Sequence, residues 1–167
     1  RLHRDKRRLA KPAFDRLCCP PEKRQIPERA PVAEFFVWRD DYLVGHPVID
    51  YDHRNLANLI NALAREANED ADHDRVSNAM HALTRYVDEH FSREETLFKA
   101  TDYPSADEHT RQHETIAGMI RALATSFARD PKSLDTDGFL AFLGDWLSGH
   151  IVRIDKGYAP YLPSTND

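Results

Sequence analysis

Beyond residue 45 the apolar positions recur at alternating spacings of three and four, the mark of side chains sharing one stripe of an α-helix. Four such stripes follow one another. They read His53, Leu56, Ile60, Leu63, Ala67; Val76, Met80, Leu83, Val87, His90, Glu94, Leu97; His109, His113, Ile116, Ile120, Leu123, Phe127; and the shorter Phe139, Leu143, Trp146, His150. A polar run over 68–72, the Asp102-Tyr103-Pro104 turn and Asp130-Pro131 separate them. Ser105, with Glu108 three residues on, has the spacing of a capping box and predicts that the third helix begins there. Short connections between amphipathic helices of this length predict an all-α fold, an antiparallel up-down four-helix bundle.

The stripes contain an anomaly. Each carries a histidine, and the second also a glutamate, where a bundle core calls for Leu or Ile. From His53 the chain runs about fifteen residues to the first connection and about seventeen back to His90, roughly 22 and 25 Å at about 1.5 Å per residue. From Glu94 it rises about six residues to the turn at Pro104 and descends about as far to His109 and His113. About fifteen residues then lead away from His113 and about fifteen return to His150. The intervals 53–90 and 113–150 are equal, so the two helical hairpins are pseudo-equivalent. Five imidazoles are thereby predicted to converge on one slab of core.

Any one of these histidines is explained well enough as a hydrogen-bonded core or surface residue. Five at one depth are not. A buried polar group without a partner costs roughly 1–3 kcal/mol, so five imidazoles and a carboxylate would cost on the order of 10 kcal/mol. Whole-domain stability is only about 5–15 kcal/mol. A metal is the natural partner. His90 and Glu94 are four apart, as are His109 and His113, so each pair projects from one helical face. Asp155 follows His150 by five, and a chain unwinding at the end of the fourth helix would bring it back opposite Glu94. Five His and two carboxylates exceed a tetrahedral zinc site and do not match the oxygen shells of calcium or magnesium. Two metals bridged by two carboxylates use all seven. A ferritin-like site needs paired Glu-x-x-His, and no Glu in this chain has a His three residues on.

Charge sets the N-terminal end apart. Residues 1–33 carry ten Lys/Arg against four Asp/Glu, a net of +6, whereas 34–167 carry a net of −11. The acidic body makes nucleic acid an unexpected partner. The basic stretch holds Pro12, Pro20, Pro21, Pro27 and Pro31 and no apolar period, which predicts a linker or arm over 1–33 and a helical domain over 34–167. Such an arm is a candidate contact for a protein partner. The chain starts at Arg1, which leaves room for upstream domains. Cys18 and Cys19, adjacent and alone, exclude a disulfide-stapled scaffold and fit a reducing, cytoplasmic setting. No secretory leader is expected, because Arg1 to Lys11 is charged and no apolar stretch follows. With 41% hydrophobic and 31% charged residues, no stretch approaches the ~18 uninterrupted apolar positions of a membrane span. Six glycines argue against an all-β fold.

The stretch from about Phe36 to Tyr158 resembles the hemerythrins, in particular their bacterial single-domain members. The similarity rests on Trp38, Gly45, Val48-Ile49-Asp50 and His53; His90-Phe91-Ser92-Arg93-Glu94-Glu95; Tyr103-Pro104 with His109 and His113; and Trp146-Leu147 with His150-Ile151, ending at Asp155. The resemblance implies a cofactor of two iron ions, cycling between ferrous and ferric, in a non-haem centre with a bridging oxo or hydroxo group. It implies that His109, His113 and His150 hold a saturated first iron, His53 and His90 the second, and that Glu94 and Asp155 bridge them. Dioxygen then binds reversibly at an open position on the second iron.

Around that position Leu56, Phe91, Trp146, Ile151 and Val152 are expected to form a dry wall. Val152 is smaller than the aliphatic residue often found there in the family, which predicts a roomier pocket with easier oxidation to the met form or small-anion binding. Phe98 replaces the usual Met, a packing change. His3, His46, His73 and His81 are expected at the surface. The leading functional expectation is an oxygen carrier, storage or delivery protein and not an enzyme. The alternatives are an oxygen or redox sensing module, a di-iron oxidoreductase, and an iron storage or repair protein.

Overall fold

Four α-helices carry most of the described residues, 34–67 and 72–162, in the computed structural model: α1 Pro47–Glu66, α2 His73–Lys99, α3 Ala106–Arg129 and α4 Thr136–Arg153. Short 3-10 turns flank them at Asp40–Tyr42, Pro131–Ser133, Asp155–Gly157 and Ala159–Tyr161, and no strand occurs among the described residues. The expected arm over 1–33, with His3, Cys18 and Cys19, lies outside them.

Each helix start has a local cause. Pro47 at the first helical position of α1 is pre-set for the helix. Just before it Gly45 takes φ +89°, a left-handed conformation that favours glycine. The Asp50 carboxylate reaches back to accept the N–H groups of Val44 at 2.7 Å and Gly45 at 3.2 Å, fixing the entry loop. Asp72 caps α2 by accepting from the N–H groups of Asp74 and Arg75, and Asp135 caps α4 by accepting from that of Gly138. The third helix begins where Ser105 predicts, but the capping box does not form. Ser105 makes no side-chain cap bond, and Glu108 is taken by Arg111 instead.

The antiparallel path is visible in side-chain pairs. Asp52 meets Arg93 while Asn55, further along α1, meets Tyr86, which is earlier on α2. Glu95 meets His113 while Asp88 meets Arg121 on α3. Helix α1 packs on α2 and α4, and α2 on α3. The α3–α4 seam is the most open and holds a cleft floored by Ile116, Phe142 and Trp146. Asn61 sits in the apolar stripe of α1 because both ends of its amide bond the Phe36 backbone, at 2.7 and 2.9 Å.

The core follows the predicted stripes with two local differences. Towards the end of α2 the buried side chain is Phe98 and not Leu97, and late in α3 it is Ala124 and not Leu123, although Phe127 beyond it is buried as predicted. In α2 a helix of 3.6 residues per turn has drifted about 20° per heptad against the strict 3.5 repeat, so the stripe moves to the next residue. Of the off-pattern histidines, His81 is exposed, whereas His46 and His73 are half-buried, His73 stacking on Phe127. No helix among the described residues is long and apolar enough to cross a membrane.

Candidate metal centre

His53 comes from α1, His90 and Glu94 from α2, His109 and His113 from α3, and His150 from α4. Asp155 opens the 3-10 turn just after α4, where the helix ends at Arg153. That break returns the carboxylate to the bundle axis, with Oδ1 3.0 Å from His150 Nε2. All seven side chains are buried, none more than 5% exposed.

Their donor atoms converge on two points. Glu94, His109, His113, His150 and Asp155 offer one group of atoms within 4.8 Å of one another, and His53, His90 and Glu94 offer a second. Glu94 belongs to both: its Oε2 is 3.5 Å from His90 Nε2 and 3.3 Å from His113 Nε2. Asp155 also faces both sides, with Oδ1 3.1 Å from His109 Nε2 and Oδ2 3.3 Å from His53 Nε2.

These contacts leave the protein unsatisfied by itself. Both Asp155 oxygens, Glu94 Oε2 and His53 Nε2 are buried with no hydrogen-bond partner, although all lie close to other donor atoms. Their lone pairs meet at shared points instead of aiming at one another's protons. The Nε2 atoms of His109 and His113 stand 3.1 and 3.0 Å from that of His150. For metal–nitrogen bonds of about 2.1 Å, ligands at right angles stand about 3.0 Å apart and tetrahedral ones about 3.4 Å. The spacing matches adjacent corners of an octahedron. Buried acceptors without donors, mixed imidazole and carboxylate chemistry and this spacing all fit a pair of first-row transition ions.

Electrostatics of the seven agree. Burial, then the neighbouring His150 and His109, push His113 down to about 3, so it stays neutral with its lone pair free for a metal. Burial, and then Asp155, raise Glu94. Asp155 stays well below the usual carboxylate range: burial opposes ionisation, but His150, His109 and His53 overcome it. Positive ions held by these residues would offset the repulsion between Glu94 and Asp155.

Several supporting residues were not anticipated. Tyr158, buried, donates from its hydroxyl to Glu94 Oε1 at 2.7 Å. Burial and the charges of Glu94 and Asp155 raise it far above the usual phenol range, so it holds its proton. Asp52 sits 3.5 Å from His90 Nδ1 and accepts from Tyr86 Oη at 2.8 Å and Arg93 Nε at 2.7 Å. Burial raises the Asp52 carboxyl, but His90, Arg93 and Tyr86 together hold it well below the usual range. Glu95 takes the other end of His113 at 3.3 Å and is itself paired with Lys99. Such outer carboxylates fix ring orientation and raise ligand basicity. An aromatic ring also stacks on each of three imidazoles: Phe98 on His109, Phe91 on His113 and Trp146 on His150. Phe98 is thus in contact with the site and does more than fill space. The adjacency of Asp52 to His53 and of Glu95 to Glu94 was the only sequence signal for these partners.

Of the expected wall, Leu56, Phe91 and Ile151 are buried, and Trp146 is half-buried beside His150. Val152 does not belong with them. It is 40% exposed, because two residues past the inward-facing His150 a helix has turned about 200°. The roomier pocket expected from its small side chain goes with it.

The fold and site define a class: a four-helix bundle whose core gathers five histidines and two carboxylates into two adjoining groups able to hold metal. Residues 44–162 match the family model for the hemerythrin HHE cation binding domain. The chain is similar to the bacteriohemerythrin of Stenotrophomonas maltophilia (strain R551-3), 32% identical over 124 residues, 74% of this chain and 78% of that one. It is also similar to the hemerythrin of Phascolopsis gouldii, 30% identical over 128 residues, 77% of this chain and 94% of that one. A crystal structure of wild-type hemerythrin superposes with a TM-score of 0.69 at 26% identity, covering 76% of this chain and 97% of that one. This chain belongs to the hemerythrin family, and its cofactor is a di-iron centre.

Proposed function

We propose that this protein binds dioxygen reversibly, as a carrier, store or delivery protein, and does not turn over a substrate. One observation carries the reading: the two donor groups are unequal, three imidazoles on one side and two on the other, with Glu94 common to both. In this reading His109, His113 and His150 hold the first iron, and His53 and His90 the second. Glu94 and Asp155, which face both sides, would be shared between the two irons. The side with two imidazoles keeps a position for the gas. When bound, the iron pair supplies the two-electron redox chemistry that captures dioxygen and gives it back.

The protein's part is to hold that chemistry in check. Leu56, Phe91 and Ile151, all buried, would keep water from the centre. Tyr158 donates its hydroxyl hydrogen bond to Glu94 Oε1, and Asp52 holds the His90 ring through its outer nitrogen. Five neutral nitrogen donors and two carboxylates supply less negative charge than a carboxylate-rich shell, which disfavours the high-valent iron of oxygenases. We assign the function to residues 34–167, read 1–33 as an arm able to contact a partner, and place the protein in the cytoplasm because its two cysteines fit a reducing setting. Anaerobic reduction followed by oxygen titration tests the reading: spectra that return on degassing support carriage, and irreversible change overturns it.

A further inference from the structure

Helix α4 carries apolar side chains on more than one face. Phe139, Leu143 and Leu147 enter the core, while Phe142 and Trp146 are only half-buried and line the cleft against α3. That cleft offers about 410 Å³, within the roughly 300–1,000 Å³ of small-molecule sites. Buried Ile116 completes its floor, and Met119, 43% exposed, stands at its side. Phe142 and Trp146 lie one turn apart on α4, so both rings belong to one wall. Stacking on His150, with the planes 16° apart, holds the indole as a fixed surface. The rest of the lining is polar and has no net charge. Arg111 donates to Glu108, the Thr115 hydroxyl donates to the Arg111 carbonyl oxygen, and Gln112 is uncharged.

We propose that the α3–α4 cleft binds a small, flat, uncharged aromatic molecule of two or three fused rings with a hydrogen-bonding group at its edge. A flat ring gains offset or edge-on contacts with both Phe142 and Trp146, which an aliphatic body of equal volume does not. The Met119 thioether is flexible and polarisable, so it closes over a ring from the open side. Charge decides against an ionic ligand: an anion meets Glu108 and a cation meets Arg111, whereas Gln112, Thr115 and the spare Arg111 N–H groups serve a neutral hydroxyl or carbonyl.

Size decides against a protein. A stable interface takes about 800 Å² from each partner, and four apolar side chains, Ile116, Met119, Phe142 and Trp146, fall far short of that. Along α3 the lining positions 108, 111, 112 and 115 are polar, so a docking helix finds no apolar stripe there. The ligand contacts none of the seven buried donor side chains, and its binding does not rest on the iron reading.

The test uses the full chain as purified, with β-naphthol as the flat uncharged probe, β-naphthoate as its charged counterpart and adamantanol as an aliphatic body of similar size. Equilibrium dialysis measures binding. Methyl-labelled methionine NMR locates it, because the two methionines are Met119 at the cleft and Met80 in the core. One β-naphthol should bind per chain and move the Met119 signal but not that of Met80, with the other two probes about tenfold weaker or more. Met119→Lys and Thr115→Tyr, both at exposed positions, should each weaken binding by about tenfold or more with the melting temperature unchanged, and Val152→Lys, exposed elsewhere on α4, should not. No saturable binding, a shift at Met80, or an affinity unchanged in both cleft variants overturns the proposal. So does equal or tighter binding of β-naphthoate or adamantanol. A chain that self-associates and is released by Met119→Lys overturns it too, by making the cleft a contact between copies. Every readout is binding, so failure of the oxygen-binding reading and failure of this one are seen separately.

Discussion

Replacing Tyr158 by Phe removes one oxygen atom and keeps the ring that packs on Phe98, Tyr103 and His109. What is lost is a 2.7 Å hydrogen bond to Glu94 Oε1, in a site with no exposed surface at either residue. If Glu94 holds iron as proposed, it is ionised there, and a hydrogen bond to a charged group is worth about 1.5–3 kcal/mol. Without iron, burial and Asp155 shift Glu94 towards the protonated acid, which weakens the bond towards a neutral one worth about 1 kcal/mol. The substitution should therefore cost roughly twice as much in the iron-loaded protein as in the metal-free one. For a unit of this size about 1 kcal/mol moves the melting temperature by roughly 3–5 °C, so the loaded variant should melt about 6–10 °C lower and the metal-free one about 3–5 °C lower. Calorimetry of both forms, with iron content measured before and after, gives the comparison. Equal shifts in the two forms, or none in the loaded protein with its iron retained, would mean that Tyr158 does not support an ionised Glu94.

Glu94→Ala takes away the one residue shared by both donor groups and should lose most of the iron, read by metal analysis of the purified variant; two irons retained would remove Glu94 from the bridge. Asp52→Asn should weaken iron binding on the His53/His90 side by about 10–100-fold in chelator competition, since it removes the carboxylate behind His90. The same variant carries a pH signature. Asp52 is held below its usual range in the fold, so its contribution is fully present above the unfolded value near 3.9 and is lost as pH falls towards the folded value. In urea unfolding of metal-free protein, the stability gap between wild type and Asp52→Asn should stay constant down to about pH 4 and narrow below it; a gap that widens in acid would contradict the assignment.

Much of this architecture was legible because its strongest signals are local or periodic. His53, His90, Glu94, His109, His113 and His150 stand on helical stripes whose depths can be counted along the chain, and the structure brings them into one buried slab. Asp155 was within reach only by allowing the fourth helix to break, which it does after Arg153. What the sequence did not reveal depends on partners from other elements. Tyr158 reaches Glu94 across 64 positions, and Arg93 meets Asp52 across 41, distances over which spacing carries no signal. The Leu97 position slipped because a 3.5-residue stripe runs too far along a 3.6-residue helix. Val152 was placed by resemblance alone, and helix geometry turns it outward. Ser105 marks the correct boundary without the hydrogen bond that the motif implies, because Glu108 has a nearer partner in Arg111.

The central claim is a two-iron centre that takes up and releases dioxygen. Protein prepared with iron, reduced without air and titrated with oxygen while the visible spectrum is followed tests it most directly. Two irons and one dioxygen per chain are expected, with a charge-transfer band that rises on oxygenation and falls on degassing over repeated cycles. A single zinc per chain, or a spectrum that changes once and never returns, would contradict it.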